Sequence, residues 1–459
     1  MNRTPKILRN LTIGFGIIFF FAPAFGIIHP YPNTGLCSIP TSDKNLVLLA
    51  EKFLHHLIQN ETQDAIAMFD ETMTRALPPE KLEKMWPMLQ LQAGKFEEIQ
   101  AARTDNQAGY RIVFLTCRFT KSLLDLKVVF DKEDKIAGLF FLPTYSPPPY
   151  EDPAAYREEE LTFGEEPWIL PGTLSLPKGE GPYPAVVLVH GSGPNDRDET
   201  IGPNKPFRDL AGGLASRGIA VFRHEKRTKQ YKKEFLHPDY KFTVQHESID
   251  DALAAVDMLR HRKDIDPDNI FVLGHSLGGM LIPRIGRQDT GITGFIILAG
   301  ATEPGEDEII RQTEYIFNLD GKLTEDEKSK LEAYKALAEE IKNLKPEDAE
   351  TNKKVYMGAY APYWLDLRGY DPPAVAATLS APMLILQGER DYQVLPSAFD
   401  RWKTALQDRN NVSFKLYPDL NHLFIPGKGK STPNEYQRPG HVDVEVISDI
   451  AVWIKQVSD

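Results

Sequence analysis

Residues 269–285 read NIFVLGHSLGGMLIPRI, a strand pattern and a helix pattern joined by a glycine-flanked serine. Ile270 to Leu273 form a continuous apolar run of strand length, and Met280 to Ile285 form a second apolar run. Between them stands Gly274-His275-Ser276-Leu277-Gly278-Gly279, a G-x-S-x-G pattern in strand–turn–helix context. Such a turn holds the serine backbone in a strained conformation and leaves its hydroxyl exposed. Side chains at Gly274 or Gly278 would collide across it, which is why glycine is needed at both. A serine held in this way is a nucleophile once a base reaches it.

On either side of this turn the chain alternates strand and helix. Ala185–Val189, Gly218–Phe222, Phe295–Leu298, Met383–Leu386 and Val412–Tyr417 read as strands. Phe207–Ala215, Ile249–Arg260 and Val442–Val457 read as helices. Near-continuous apolar strands separated by amphipathic helices describe a mostly parallel sheet covered on both faces. The alternation breaks from about 301 to 372, where charged helical segments such as Glu325–Leu344 carry no strand pattern. An insertion there belongs above the carboxyl ends of the strands, where ligands bind in open sheets of this class. It reads as a helical cap, with Tyr315, Phe317 and Trp364 as candidates for shaping a pocket.

The acid and base that serve such a serine follow it in chain order. Asp391 lies in the loop after the strand Met383–Leu386, and His422 lies in the loop between Val412–Tyr417 and the last helix. Glu389 and Asp419 are the rival acids. Glu389 falls too early in its turn, and Asp419 adjoins the base rather than ending its own strand. His190-Gly191-Ser192-Gly193 closes the strand Ala185–Val189, so the backbone amides of Ser192 and Leu277 are the candidate donors to an oxyanion. These catalytic candidates, Ser276, His422 and Asp391, require no cofactor, and the absence of metal-type Cys/His spacing gives no support for a zinc site.

As a set, HGSGPNDRDETIGPNKPFRDLA, FRHEKRTKQY, GHSLGGM, GERDYQV and LNHLF resemble the α/β-hydrolase superfamily, in particular its esterase branch akin to serine aminopeptidase-like hydrolases. The resemblance runs from about residue 161 to the C-terminus. It implies an acyl-enzyme mechanism on a small-molecule acyl ester, and structural rather than catalytic roles for His190 and His275. The family commonly has an aromatic residue and an aspartate where this chain has His224 and Glu225. A peptidase or amidase, or an acyltransferase, would use the same three side chains. A non-catalytic envelope-facing binding protein is the remaining alternative, and it would gain nothing from keeping all three.

The chain has 459 residues, more than one ordinary core needs. Ahead of the hydrolase-like part, 42–145 reads as a small α+β domain. Helical patterns start at Ser42, around Ala65 to Met73 and after Pro78-Pro79, and the strands Tyr110–Thr120, Leu123–Phe130 and Ile136–Leu142 follow. The element order and the ending VVFDKEDKIAGLFF resemble cystatin/nuclear-transport-factor-like rolls. Residues 146–160 read as a proline-rich linker. At the start, Arg3, Lys6 and Arg9 precede the uncharged apolar run Leu11–Ile28, the pattern of a signal peptide or a signal anchor. The folded part is therefore expected outside the cytoplasm, as a secreted or membrane-anchored protein, where Cys37 and Cys117 could pair. A net charge of −12 with no other basic run repels phosphate backbones, so no nucleic-acid partner is expected.

Overall fold

In the computed structural model the described residues are 41–458 apart from 108, 109, 236 and 238, so the apolar segment 1–28 and Cys37 lie outside them. The chain divides into two units, one ending at Ser146 and one running from Pro147 to Asp459.

The first unit places helices α1 (Thr41–Ile58), α2 (Thr62–Ile66), α3 (Glu71–Ala76) and α4 (Pro79–Ala93) before four antiparallel strands, β1 (Phe96–Gln107), β2 (Tyr110–Phe119), β3 (Leu123–Phe130) and β4 (Ile136–Pro143), in spatial order 1-2-3-4. One apolar cluster joins Phe53 and Leu54 of α1 and Trp86 of α4 to Val113, Leu115, Cys117 and Val128 of the sheet. The alternating residues of β2 supply that face because side chains in a strand repeat every second position. Cys117 is fully buried, and burial pushes its thiol up to about 12. Strand β1 has no counterpart in the sequence reading. FEEIQAARTDNQ is polar and poor in β-branched residues; it is an edge strand paired to β2, with Phe96, Ile99 and Ala102 packed against the core.

The second unit is built on an eight-stranded sheet. Its strands are β5 (Tyr156–Phe163), β6 (Leu170–Pro177), β7 (Tyr183–Val189), β8 (Ala220–His224), β9 (Ile265–His275), β10 (Gly294–Leu298), β11 (Met383–Gly388) and β12 (Val412–Tyr417), in the order 12-11-10-9-7-8-6-5. Strands 8, 7, 9, 10, 11 and 12 run parallel, and β6 pairs antiparallel with both β8 and β5. Strand β5 begins at Tyr156, inside the stretch read as linker.

Alternation along the strands feeds two cores. Val186, Leu188, Phe271, Leu273 and Ile296 face helices α5 (Pro206–Ala215) and α16 (Val444–Ser458). Val187, Val189, Val272 and Ile297 face α8 (Asp250–Arg260), α9 (Leu277–Gln288) and α15 (Pro396–Leu406). Burying one such side chain contributes roughly 1.5–3 kcal/mol, so these two layers dominate the unit's stability.

Between β10 and β11 the chain forms α10 (Gly305–Phe317), α11 (Glu325–Asn343), α12 (Asp348–Thr351), α13 (Ala361–Leu367) and α14 (Pro372–Ala376). The first four build a layer with its own core. Ile341, Leu344, Tyr356 and Trp364 pack there with Phe235 and Phe242 from the segment after β8, which carries the short helices α6 (Arg227–Gln230) and α7 (Lys232–Phe235). Trp168 joins this nest edge-on against Tyr231 and Phe235, at 5.1 and 5.8 Å between ring centroids. The helical layer thus draws on two separate insertions, of which the sequence reading found one.

Candidate active site

Every loop of interest leaves the carboxyl end of a parallel strand. Ser276 follows β9, the His190 loop follows β7, Asp391 follows β11 and His422 follows β12. Parallel strands project their following loops to the same edge of the sheet, and that edge is where the chemistry gathers.

Ser276 adopts φ 53° and ψ −115° ahead of α9. A non-glycine residue in that region carries roughly 1–3 kcal/mol of strain, held by the structure around it. The glycines explain how the turn closes. A Cβ at Gly274 would lie 2.3 Å from the carbonyl oxygen of Gly278, and one at Gly278 would lie 2.2 Å from that of Val189. Ser276 donates its own N–H to the Leu298 carbonyl at 2.9 Å, which ties the turn to β10. Leu277 opens α9, so its N–H has no acceptor within the helix.

His422 and Asp391 meet. Nδ1 of the imidazole lies 2.7 Å from Oδ2 of the carboxylate, and both side chains are buried. The carboxylate is itself oriented. Its Oδ1 accepts the backbone N–H groups of Gln393 and Val394 at 2.8 and 3.0 Å, and its Oδ2 accepts Nε2 of Gln387 at 3.1 Å. With Nδ1 engaged by the acid, Nε2 is the nitrogen left for chemistry. The rivals Glu389 and Asp419 are exposed. The elbow and the histidine loop are joined through His275, whose Nε2 lies 2.9 Å from the His422 carbonyl oxygen and whose ring centroid lies 4.6 Å from that of His422.

The loop after β7 passes directly beside the serine. A Cβ on Gly191 would come within 3.2 Å of the Ser276 Cβ. The N–H of Gly191 donates to Oε1 of the buried Glu199 at 2.6 Å, while Oε2 of the same carboxylate lies 2.9 Å from Nδ1 of His275, outside hydrogen-bonding geometry. Burial opposes charge on His275, but the Glu199 carboxylate and the His422 carbonyl outweigh it and raise the pKa above its ordinary value. His190 and His224 show the opposite case. Burial holds His190 well below its usual range and His224 down to about 4, so both are neutral rings packed edge to face at 5.1 Å. Ser192 is exposed and lies outside any strand-to-helix turn.

Helix α10 docks on this edge. Arg311 donates to the carbonyls of Tyr392 and Gln393 at 3.2 and 2.8 Å, just past the acid. Tyr315 stacks on Tyr392 at 5.0 Å and donates its hydroxyl to the Ser431 carbonyl at 2.8 Å. Trp364 is buried in the core of the helical layer, so it is a packing residue there.

The comparisons with known proteins bear on this arrangement. Residues 182–426, just over half of the chain, match the family described as "Serine aminopeptidase, S33". Over 406 residues the chain is 40% identical to Esterase EstD of Thermotoga maritima, which spans 88% of this chain and 93% of the relative. The chain belongs to the S33 serine hydrolase family. Residues 50–139 match a second family, described as "Protein of unknown function (DUF3887)". Among solved structures, Est1E from Butyrivibrio proteoclasticus is 15% identical, with 65% of this chain and 99% of that chain covered, at a TM-score of 0.41. A puromycin-hydrolyzing peptidase of Mycobacterium tuberculosis is 19% identical, with 77% and 46% covered, at 0.41. At such scores neither adds to the assignment.

In this S33 hydrolase the sequence reading did not single out Glu199, Gln387 or Glu308. The first two are polar residues with no motif spacing, and only the fold brings them to the site. Glu308 stands on α10, and burial, reinforced by the Asp391 and Glu303 carboxylates against Arg311, pushes it up to about 8.

Proposed function

We propose that the protein hydrolyses small carboxylic esters through an acyl-enzyme at Ser276. The observation that carries this reading is the buried 2.7 Å contact between His422 and Asp391 at the same sheet edge as the strained serine turn. Nε2 of His422 takes the Ser276 hydroxyl proton as Oγ attacks the ester carbonyl, and Asp391 holds the tautomer and stabilises the imidazolium. The amides of Ser192 and Leu277 donate to the oxyanion, about 3–4 kcal/mol of transition-state stabilisation for each well-placed donor. The tetrahedral adduct collapses as the imidazolium returns its proton to the departing alcohol. Water, deprotonated by the same nitrogen, then attacks the acyl-enzyme and releases the acid.

The likeness to Esterase EstD favours an ester over the amide that the family description suggests. The helical segment 301–372 serves as the cap, with Tyr315 at the edge nearest the acid loop. A series of p-nitrophenyl esters of graded chain length, run beside aminoacyl p-nitroanilides, tests the choice. Esters should turn over faster by orders of magnitude, and a fluorophosphonate should label the protein once, at Ser276. Faster anilide release, or labelling that survives Ser276→Ala, would overturn it.

The segment 1–28 serves as an export signal or anchor, a reading that rests on Arg3, Lys6 and Arg9 ahead of Leu11–Ile28. No helix among the described residues is long and apolar enough to cross a membrane. Protein from its host should carry a new N-terminus near Phe25, or an intact one in the membrane fraction. A soluble cytoplasmic chain beginning at Met1 would refute both forms.

A further inference from the structure

The peptide unit between Gly191 and Ser192 is held by a buried lysine and an asparagine amide that the triad does not use. Its carbonyl oxygen, on Gly191, accepts a hydrogen bond from Nζ of Lys226 at 2.7 Å and a second from Nδ2 of Asn195 at 3.2 Å. Lys226 is 1% exposed, and its counter-ion is Glu247, 2.9 Å away and also buried. The Lys226 backbone is tied to the same loop, its N–H donating to the Asn195 carbonyl at 3.2 Å. On the other side of the residue, the Gly191 N–H is held by Glu199.

A buried lysine is costly, since desolvating an ammonium takes several kcal/mol that a single counter-ion repays only in part. An apolar residue could fill the same volume without that penalty, and the function of the charge lies in the carbonyl it binds. In a planar trans peptide the C=O of residue 191 and the N–H of residue 192 point in opposite directions within one plane. The cis bonds among the described residues lie elsewhere, at Glu166-Pro167 and Gly181-Pro182. A donor fixed on the Gly191 oxygen therefore fixes the direction of the Ser192 N–H. A full positive charge at that oxygen also draws electron density along the amide and makes the opposite N–H a stronger donor, the same polarisation that strengthens bonds in a hydrogen-bonded chain.

We propose that Lys226 is a positioning residue for the oxyanion hole, orienting and polarising the Gly191–Ser192 peptide so that the Ser192 amide meets the developing negative charge. This rests on the reading of that amide as an oxyanion donor. The effect belongs to the transition state, because the ester carbonyl carries little charge before attack and a full one after it.

The test uses the full chain. Lys226→Met removes the ammonium and keeps the stem, but leaves Glu247 buried without its partner. The double variant Lys226→Met/Glu247→Gln removes both charges and keeps the core neutral, so folding is retained there if the single variant is lost. With p-nitrophenyl acetate, kcat should fall about 10- to 100-fold, somewhat less than the loss of a whole oxyanion donor, while KM moves less than about threefold. A trifluoromethyl ketone, whose adduct places an oxyanion in the hole, should bind more weakly by the same factor as kcat falls. A folded variant with kcat within twofold of the parent, a loss carried by KM, or unchanged ketone affinity beside a fallen kcat would each overturn the proposal. Absence of Ser276-dependent ester hydrolysis in the unmodified protein would instead overturn the functional reading on which it stands.

Discussion

At Asp391 the choice between neighbouring acids becomes a matter of hydrogen bonds. Two backbone amides and one side-chain amide converge on its carboxylate, whereas Asp419 is exposed. Asp391→Asn should leave the fold intact and lower kcat by about four orders of magnitude, because the imidazole loses the partner that fixes its tautomer. Asp419→Asn should stay within threefold of the parent in the same assay, and the reverse pattern would move the acid to Asp419. His224 carries a prediction about stability. Its folded pKa, about 4, lies below the ordinary value of 6.5 because burial disfavours the charged ring. The unfolded chain therefore binds the proton more readily than the native one, and stability is lost as pH falls from about 6.5 to about 4. The full span is worth roughly 3 kcal/mol. His224→Phe, a ring that fits beside Phe163 and Phe222, should make the loss in unfolding free energy between pH 7.5 and pH 4.5 smaller by roughly 2–3 kcal/mol. An unchanged acid slope in chemical denaturation would show that the ring is not buried neutral. The strand ends that carry Ser276, Asp391 and His422 were legible in the sequence, because Ile270–Leu273 and Met383–Leu386 are continuous apolar runs and β12 alternates apolar with polar residues. Glu199, Gln387 and Lys226 were not, since a buried polar residue is recognised by its partners, and only the folded loops show that Gln387 meets Asp391, Glu199 meets Gly191 and Lys226 meets both Gly191 and Glu247.

Elements repeat the contrast. Central segments such as Ala185–Val189 of β7 and Ile270–Leu273 of β9 are continuously apolar because both faces are covered, and their pattern survives without any tertiary knowledge. The edges behave differently. Strand β5 reads YREEELTF, and its glutamates are answered by Arg197, Arg208, Arg223 and Arg262 from elsewhere in the fold. Strand β6 includes Gly172, where a Cβ would lie 2.4 Å from the Phe222 ring, so its glycine reflects close packing rather than a turn. Tertiary context overrode local propensity at both, and at β1. The turn between β9 and α9 is legible for the opposite reason, because backbone crowding leaves no alternative to glycine. Gly278→Ala should therefore be severe. Its methyl would sit 2.2 Å from the Val189 carbonyl oxygen and 2.8 Å from that of His190, and neither is a side chain that can turn away. We expect a loss of about 3 kcal/mol or more in unfolding free energy, together with at least 100-fold in kcat. A variant with the parent's denaturation midpoint and full turnover would mean that the strand and the turn are not packed in this way.

The two units divide the chain, and the catalytic candidates all stand in the second. The alignment to Esterase EstD is longer than the hydrolase unit, so the relative has sequence corresponding to both parts. Shared length does not by itself assign a role. Pro147–Asp459 contains Ser276, Asp391, His422, Ser192, Lys226 and the helical segment, and two apolar layers cover its sheet. The first unit has a separate core of its own, built around Phe53, Trp86 and Val113. Separate cores mean that neither unit needs the other to bury its apolar surface, which is the physical condition for independent folding. A chain lacking 42–145 should therefore fold and hydrolyse p-nitrophenyl acetate with kcat/KM within about threefold of the parent. The first unit would then act on substrates too large for the assay, or on placement of the enzyme, and its loss would appear only with bulky or surface-bound esters. The decisive comparison is between a cooperative unfolding transition and turnover in the same preparation. A fragment that unfolds cooperatively yet has lost more than 100-fold in turnover of the small ester would show that the first unit helps to build the active site, and the independence argued from the two cores would fail.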